Sequence, residues 1–156
     1  MNHAYFLKVT IEMARENIEN GGGPFAAIVV NGNGEIVGIG KNSVTKNNDP
    51  TAHAEVQAIR DACQNLGTFQ LADCILYSSC EPCPMCLGAI YWARPKEVYF
   101  AADQKDAANA GFDDAFIYEE ITKDHGARAI RFNRVDIPDR TLPFEEWEHT
   151  YIKINY

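Results

Sequence analysis

Apolar positions in the first twenty residues recur at helical spacing. Phe6, Val9, Met13 and Ile18, with Ala14 beside them, predict an amphipathic helix over 4–18, stopped by Gly21-Gly22-Gly23. An unbroken apolar run over 25–30 predicts a buried strand. Asn31-Gly32-Asn33-Gly34 supplies turn chemistry, and 35–40 returns as the second strand of a hairpin. The polar stretch 41–50 predicts a loop. Over 51–66, Val56, Ile59, Cys63 and Leu66 share one helical face, and Gly67 ends the helix. A strand over 74–78, a helix over 82–91 entered through proline, and a strand over 97–102 follow. Further on, 113–121 reads as a helix, 129–135 as a strand and 144–154 as a closing helix. Glu145, Glu146 and Glu148 lie near the start of that helix, where negative charge suits the dipole. Helices thus alternate with strands after an initial hairpin, which predicts an α/β fold: a three-layer α/β/α sandwich around one mixed sheet.

Length and composition narrow this picture. The 156 residues suit a single domain, 1–156, with one core. No internal repeat or low-complexity linker interrupts it. With 46% hydrophobic and 23% charged residues, the composition excludes disorder for the body of the chain. No apolar stretch reaches bilayer length, and Met1-Asn2-His3-Ala4-Tyr5 lacks the plan of a signal peptide, so a cytoplasmic location is expected. The net charge of -8 changes the expected partner. A polynucleotide binder needs a cationic face, and the densest basic cluster, Arg128, Arg131 and Arg134, alternates with apolar residues as a solvated strand face would. A small-molecule substrate is expected, with neither nucleic acid nor membrane as a partner.

The cysteines carry the strongest chemical signal. Five are present, and Cys80, Cys83 and Cys86 fall in one short stretch, unlike an even, dispersed disulfide framework. His53-Ala54-Glu55 opens one predicted helix, and Pro82-Cys83-Pro84-Met85-Cys86 opens another. A catalytic zinc takes three nitrogen or sulfur ligands and leaves one position for water, and His53, Cys83 and Cys86 make such a set. Helix starts favour thiolates, the ligating form. Glu55 stands near the ion without being needed as a ligand, where a carboxylate can move protons between water and a leaving amine. Two blander readings stay open: a redox Cys-x-x-Cys pair, and a closed structural zinc site with Cys80 as fourth ligand.

His53-Ala-Glu55 followed by Pro82-Cys83-Pro-Met-Cys86 resembles the cytidine deaminase-like zinc deaminases. That resemblance implies a mixed five-stranded sheet between helix layers, one zinc ion per subunit, and Glu55 as proton shuttle. Gly22-Gly23-Pro24-Phe25, the stretch 47–55 and the stretch 79–94 are shared widely among the purine-type members. The run Gly111-Phe112-Asp113-Asp114-Ala115-Phe116-Ile117-Tyr118 is similar to the bacterial branch that deaminates guanine, and differs from the small residues found there in tRNA adenosine deaminases.

The resemblance also implies roles that spacing alone does not reveal. Asn42 would hydrogen-bond the purine edge, Ala54 would offer its backbone N–H, and Asp114 would be a second catalytic carboxylate. Trp92 would line the pocket. The C-terminal segment, about 140–156, would exchange between the subunits of a homodimer, with Tyr156 sealing the partner's pocket. The implied reaction is hydrolysis of guanine to xanthine and ammonia. Taken singly, Asn42 reads as a turn residue, Asp113 and Asp114 as helix-start acids, Trp92 as core or interface, and Tyr156 as a frayed terminus. Competing functions are deamination of guanosine or another aminopurine or triazine, deamination of tRNA adenosine, and a zinc-stabilised interaction module without catalysis.

Overall fold

The periodic N-terminal segment forms α1, His3–Glu19. Asn2 caps it, its side-chain oxygen accepting the Tyr5 N–H at 3.1 Å. The buried face carries Phe6 and Ala14 but also two polar residues, Thr10 and Asn17. Thr10 satisfies its hydroxyl locally, donating to the Leu7 carbonyl at 2.8 Å. Asn17 has a different task, described below.

The expected hairpin is present as β1, Ala26–Val30, and β2, Ile36–Lys41. β1 also pairs antiparallel with β3, Ile75–Cys80, and β3 pairs parallel with β4, Glu97–Ala102. The sheet order is β2-β1-β3-β4, so β2, β3 and β4 all run one way and β1 the other. One row of the register reads Gly40, Ala27, Ser78, Phe100 across the four strands.

β1 is buried along its whole length, and its residues alternate between two cores. Ile28 and Val30 join Tyr77 and Phe6 of α1 on one face. Ala27 and Val29 join Leu76 on the other, with Ala54, Ala58 and Ala62 of α3 (Ala54–Leu66) and Ile90 and Ala93 of α4 (Pro84–Ala93). The three-layer α/β/α arrangement expected from the alternation is therefore present. α3 lies unusually close to β2. A Cβ placed on Gly40 would stand 1.9 Å from the Ala54 carbonyl oxygen, and one on Gly38 would stand 2.5 Å from that of Ala58. Glycine in the strand and alanine on every fourth helix position remove the side chains that would separate the two layers.

The sheet has four strands, not the five that the resemblance implied. The expected strand over 129–135 is irregular backbone instead. Its polar groups find local partners. The Ala129 N–H donates to a Glu120 carboxylate oxygen at 2.8 Å, and the Phe132 N–H to the His125 carbonyl at 3.2 Å. The Arg128 guanidinium also lies 4.9 Å from the centre of the Phe132 ring. These bonds occupy groups that a strand would have offered to a ladder.

The computed structural model describes all residues from Met1 to Tyr156, in two compact units, Met1–Asp114 and Ala115–Tyr156. The first holds the sheet, α1, α3 and α4. It also holds two short helices, α2 (Val44–Asn47), where a loop was expected, and α5 (Gln104–Asn109). The second unit contains α6 (Ala115–Thr122), 3-10 turns at His125–Ala127 and Pro138–Thr141, and α7 (Leu142–His149). α7 stops short of the expected residue 154. The Thr150 N–H and hydroxyl turn back to the Trp147 and Glu146 carbonyls and close its last turn. None of the residues from Ala115 to Tyr156 is buried. No helix in the chain is long and apolar enough to cross a membrane.

Candidate active site

The loop after β2 positions His53, the first candidate ligand. Asn48, in the left-handed region at φ 49°, ends α2. An Asp49 carboxylate oxygen then accepts both the Thr51 N–H at 2.8 Å and the Thr51 hydroxyl at 2.7 Å. The Ser43 N–H donates to the Ala52 carbonyl at 2.9 Å, tying the loop's two ends together. His53 follows in extended backbone as the N-cap of α3. Cys83 holds the equivalent place on α4, also extended, with Pro84 next in the first turn. Cys86 lies one turn further on and is fully buried.

Two helix starts thus point their side chains at one place. His53 Nδ1 is 3.5 Å from Cys83 Sγ and 3.5 Å from Cys86 Sγ. Around a tetrahedral zinc with bonds of about 2.1 Å to nitrogen and about 2.3 Å to sulfur, that separation would be roughly 3.6 Å. The three donors lie within 4.8 Å of one another and could hold a metal ion. Cys80, the possible fourth ligand, is turned elsewhere. Its thiol bonds the Asp103 carbonyl oxygen at 3.8 Å, and burial pushes its pKa up to about 11.

The charge balance of the group fits a cation. Hydrogen bonds from Cys86 and then His53 hold Cys83 down at about 4, against the effect of burial. Cys86 is driven far above the usual thiol range, because it faces Cys83 and is itself buried beside Glu55. The surrounding groups thus favour the thiolate at Cys83 and oppose it at Cys86, an opposition that a divalent cation among the three donors would relieve.

Glu55, in the first turn of α3, is buried against this group. One of its carboxylate oxygens accepts the Ser78 hydroxyl at 3.1 Å, and the other accepts the Cys86 thiol at 3.3 Å. Burial holds its carboxyl above the usual range. Ser78 was not anticipated from sequence. Its signal was a hydroxyl pair, Ser78-Ser79, ending an otherwise apolar strand. Ser79 has a separate partner, its oxygen accepting the Ala26 N–H at 3.1 Å.

The structure brings His53, Glu55, Cys83 and Cys86 into direct contact. Asn42 stands just past β2, beside the Ser43–Ala52 tie. The Asn17 amide holds its carbonyl at 2.9 Å and the Gly23 carbonyl at 2.8 Å. Asn17 was also missed, although a polar residue in step with Phe6, Thr10 and Ala14 was its signal. Ala54 is fully buried, and its N–H is among the first-turn groups that have no partner within a helix. Asp114 is half-buried and accepts the Gln104 side-chain amide at 3.0 Å. Trp92, on α4, is 63% exposed, and Tyr156 is 72% exposed at the chain end.

Comparison with known proteins places these residues in context. Residues 1–102 match the family described as the cytidine and deoxycytidylate deaminase zinc-binding region. The chain is 56% identical to guanine deaminase of Bacillus subtilis over 157 aligned residues, covering 100% of both chains. It is 42% identical to a tRNA-specific adenosine deaminase of Aquifex aeolicus, covering 96% of this chain and 85% of that one. The crystal structure of guanine deaminase from Bacillus subtilis superimposes with a TM-score of 0.98, covering 100% of this chain and 99% of that chain.

Proposed function

We propose that this chain, which belongs to the zinc-binding cytidine and deoxycytidylate deaminase family, hydrolyses guanine to xanthine and ammonia. The observation that carries hydrolytic deamination is the three-donor group His53, Cys83 and Cys86, with Glu55 buried against it and Cys80 turned away. Three ligands suit a catalytic ion, whereas a structural module needs a fourth. The choice of guanine is supported by full-length similarity to guanine deaminase, in sequence and in structure.

His53, Cys83 and Cys86 would hold the zinc, whose chemistry there would be to make a water more acidic and so more nucleophilic near neutral pH. Glu55 takes the proton of the attacking water and hands it to the purine, with Ser78 fixing its carboxylate. Its burial suits the transfer, since desolvation holds the carboxyl above its usual range and makes it a better proton acceptor. Glu55 then takes the hydroxyl proton of the tetrahedral adduct, and Asp114, which holds the departing amino group, helps deliver that proton to it, so that the C–N bond breaks and ammonia leaves. Asn42, half-buried and with its side-chain oxygen accepting the Val44 N–H at 3.3 Å, and the buried Ala54 N–H bond the purine, and a base that cannot pair with them is disfavoured. Trp92 lines the pocket.

The working unit is a homodimer that exchanges its C-terminal segments, about 140–156, with Tyr156 closing the partner's pocket; each 1–156 chain is one functional domain. This is supported by the exposed apolar side chains of that segment, among them Phe144, Trp147, Tyr151, Ile152 and Ile154, which need cover. A cytoplasmic location is supported by five free cysteines, which suit a reducing compartment.

The test is ammonia release by purified, zinc-quantified protein from guanine, guanosine, other aminopurines, triazines and tRNA. Guanine should be the preferred substrate. Release from another base but not from guanine would overturn the substrate while leaving the hydrolytic reading intact. A zinc-replete protein inactive on the whole panel would favour the interaction module.

A further inference from the structure

Asp114 lies far along the chain from the three donors, in the non-helical stretch after α5, yet its task requires a fixed position. The structure shows what fixes it. Gln104 is the first residue of α5, a helix anchored by a reciprocal capping box. An Asp103 carboxylate oxygen accepts the Asp106 N–H at 2.9 Å, and an Asp106 carboxylate oxygen accepts the Asp103 N–H at 3.0 Å. The Gln104 backbone N–H donates to a Glu81 carboxylate oxygen at 2.9 Å. Glu81 is two residues before Cys83, and its own N–H donates to the Ala102 carbonyl at 2.8 Å. From this tethered backbone, the Gln104 side-chain amide donates to Asp114 Oδ1 at 3.0 Å. Both ends of Gln104 are therefore engaged, one on the ligand loop and one on the distal carboxylate.

We infer that Gln104 is a positioning residue that references Asp114 to the metal-ligand loop through Glu81. The inference rests on the reading of Asp114 as the carboxylate that serves the departing amino group. A neutral amide suits the task, since it fixes one carboxylate oxygen while leaving the other for the substrate and adds no cation to compete with it. The bond to Glu81 uses the backbone, so a change of side chain leaves that tether in place.

The test compares Gln104→Met, which keeps length but loses the donor, with Gln104→His, which keeps an N–H donor. Steady-state guanine deamination is measured for each, alone and combined with Asp114→Asn. Gln104→Met should lower kcat about tenfold, the effect of one hydrogen bond to a charged group, with zinc content and unfolding midpoint unchanged. Gln104→His should recover most of that loss. In the Asp114→Asn background, Gln104→Met should change kcat by less than about twofold, because the two residues act as one unit. An unchanged kcat in Gln104→Met, a full loss in both backgrounds, or a loss that tracks zinc would each overturn the inference. Full activity in the single variant Asp114→Asn would instead overturn the reading of Asp114, whatever Gln104 does.

Discussion

Replacing Gly40 with alanine puts a methyl group into space already filled by α3. The new Cβ would lie 1.9 Å from the Ala54 carbonyl oxygen and 2.4 Å from the Ala58 nitrogen. Both are backbone atoms, so no side chain can swing aside. Ordinary contact would require a separation of about 1.5 Å more. Overpacking of this kind costs about 1–3 kcal/mol, and two backbone clashes put Gly40→Ala at or above the upper end. Loss of a glycine from the unfolded chain returns only about 0.4–1 kcal/mol, so the net effect is destabilising. With about 2–2.6 kcal/mol left, the unfolding midpoint of a chain of this size should fall by roughly 4–10 °C. The activity should fall further than stability alone explains. α3 carries His53 at its cap and Glu55 in its first turn, and displacement of catalytic groups by about 1 Å can cost roughly a hundredfold in rate. Gly38→Ala is the comparison. It clashes with Ala58 and Ala62, further along α3, so it should lose similar stability but less activity. The assay is thermal unfolding with zinc content and kcat on the folded fraction of each variant. A Gly40→Ala protein with unchanged midpoint and kcat would refute the reasoning, and equal kcat losses in the two variants would refute its link to the site.

Glu55→Gln should keep zinc and lose about 10²–10⁴ in kcat, as removal of a positioned proton carrier does; near-normal turnover would rule out its shuttle role. Ser78→Ala strips Glu55 of a buried donor, so denaturant titration should show a loss of about 1–3 kcal/mol and kcat should fall with it. Stability and rate both unchanged would mean the hydroxyl is idle. Sedimentation at micromolar concentration should give the mass of two chains. Deleting Tyr156 should lower kcat without lowering the unfolding midpoint, and unchanged kinetics would remove it from the pocket.

The three donors that could hold a metal were legible in the sequence because such chemistry demands particular residue types at helix starts, and both starts could be located from apolar spacing and proline. The hairpin, β3 and β4 were legible for a similar reason, since buried strands declare themselves as apolar runs. The expected fifth strand failed on the same signal. Ile130 and Phe132 alternate with Arg131 and Asn133 as a strand would, but Glu120 and His125 take up backbone N–H groups of that stretch. Alternation reports which side chains could share a face; it does not supply a neighbouring strand. The contacts of Ser78, Asn17 and Gln104 were hidden in another way. Each is an ordinary polar residue whose partner is distant in sequence or chosen by a local tether, so its role emerges only once the pairing of elements is known.

The register of the sheet explains why these contacts fall together. β2, β3 and β4 run in one direction, so their C-terminal ends share one edge, where open α/β sheets place their ligands. Asn42 and His53 follow β2, Cys83 and Cys86 follow β3, and Gln104 follows β4. Near that edge a single row reads Gly40, Ala27, Ser78, Phe100. Gly40 sets how closely α3 approaches, and Ser78 bonds the carboxylate that α3 delivers. A slip of one residue between β1 and either neighbour would turn Gly40 or Ser78 to the opposite face, because side chains alternate with a period of two. The buried β1 resists such a slip, since Ala27 and Val29 belong to one core and Ile28 and Val30 to the other. The apolar alternation of the central strand therefore sets the position of the Glu55 carboxylate, even though that carboxylate's hydrogen bonds go to Ser78 and Cys86 on other elements.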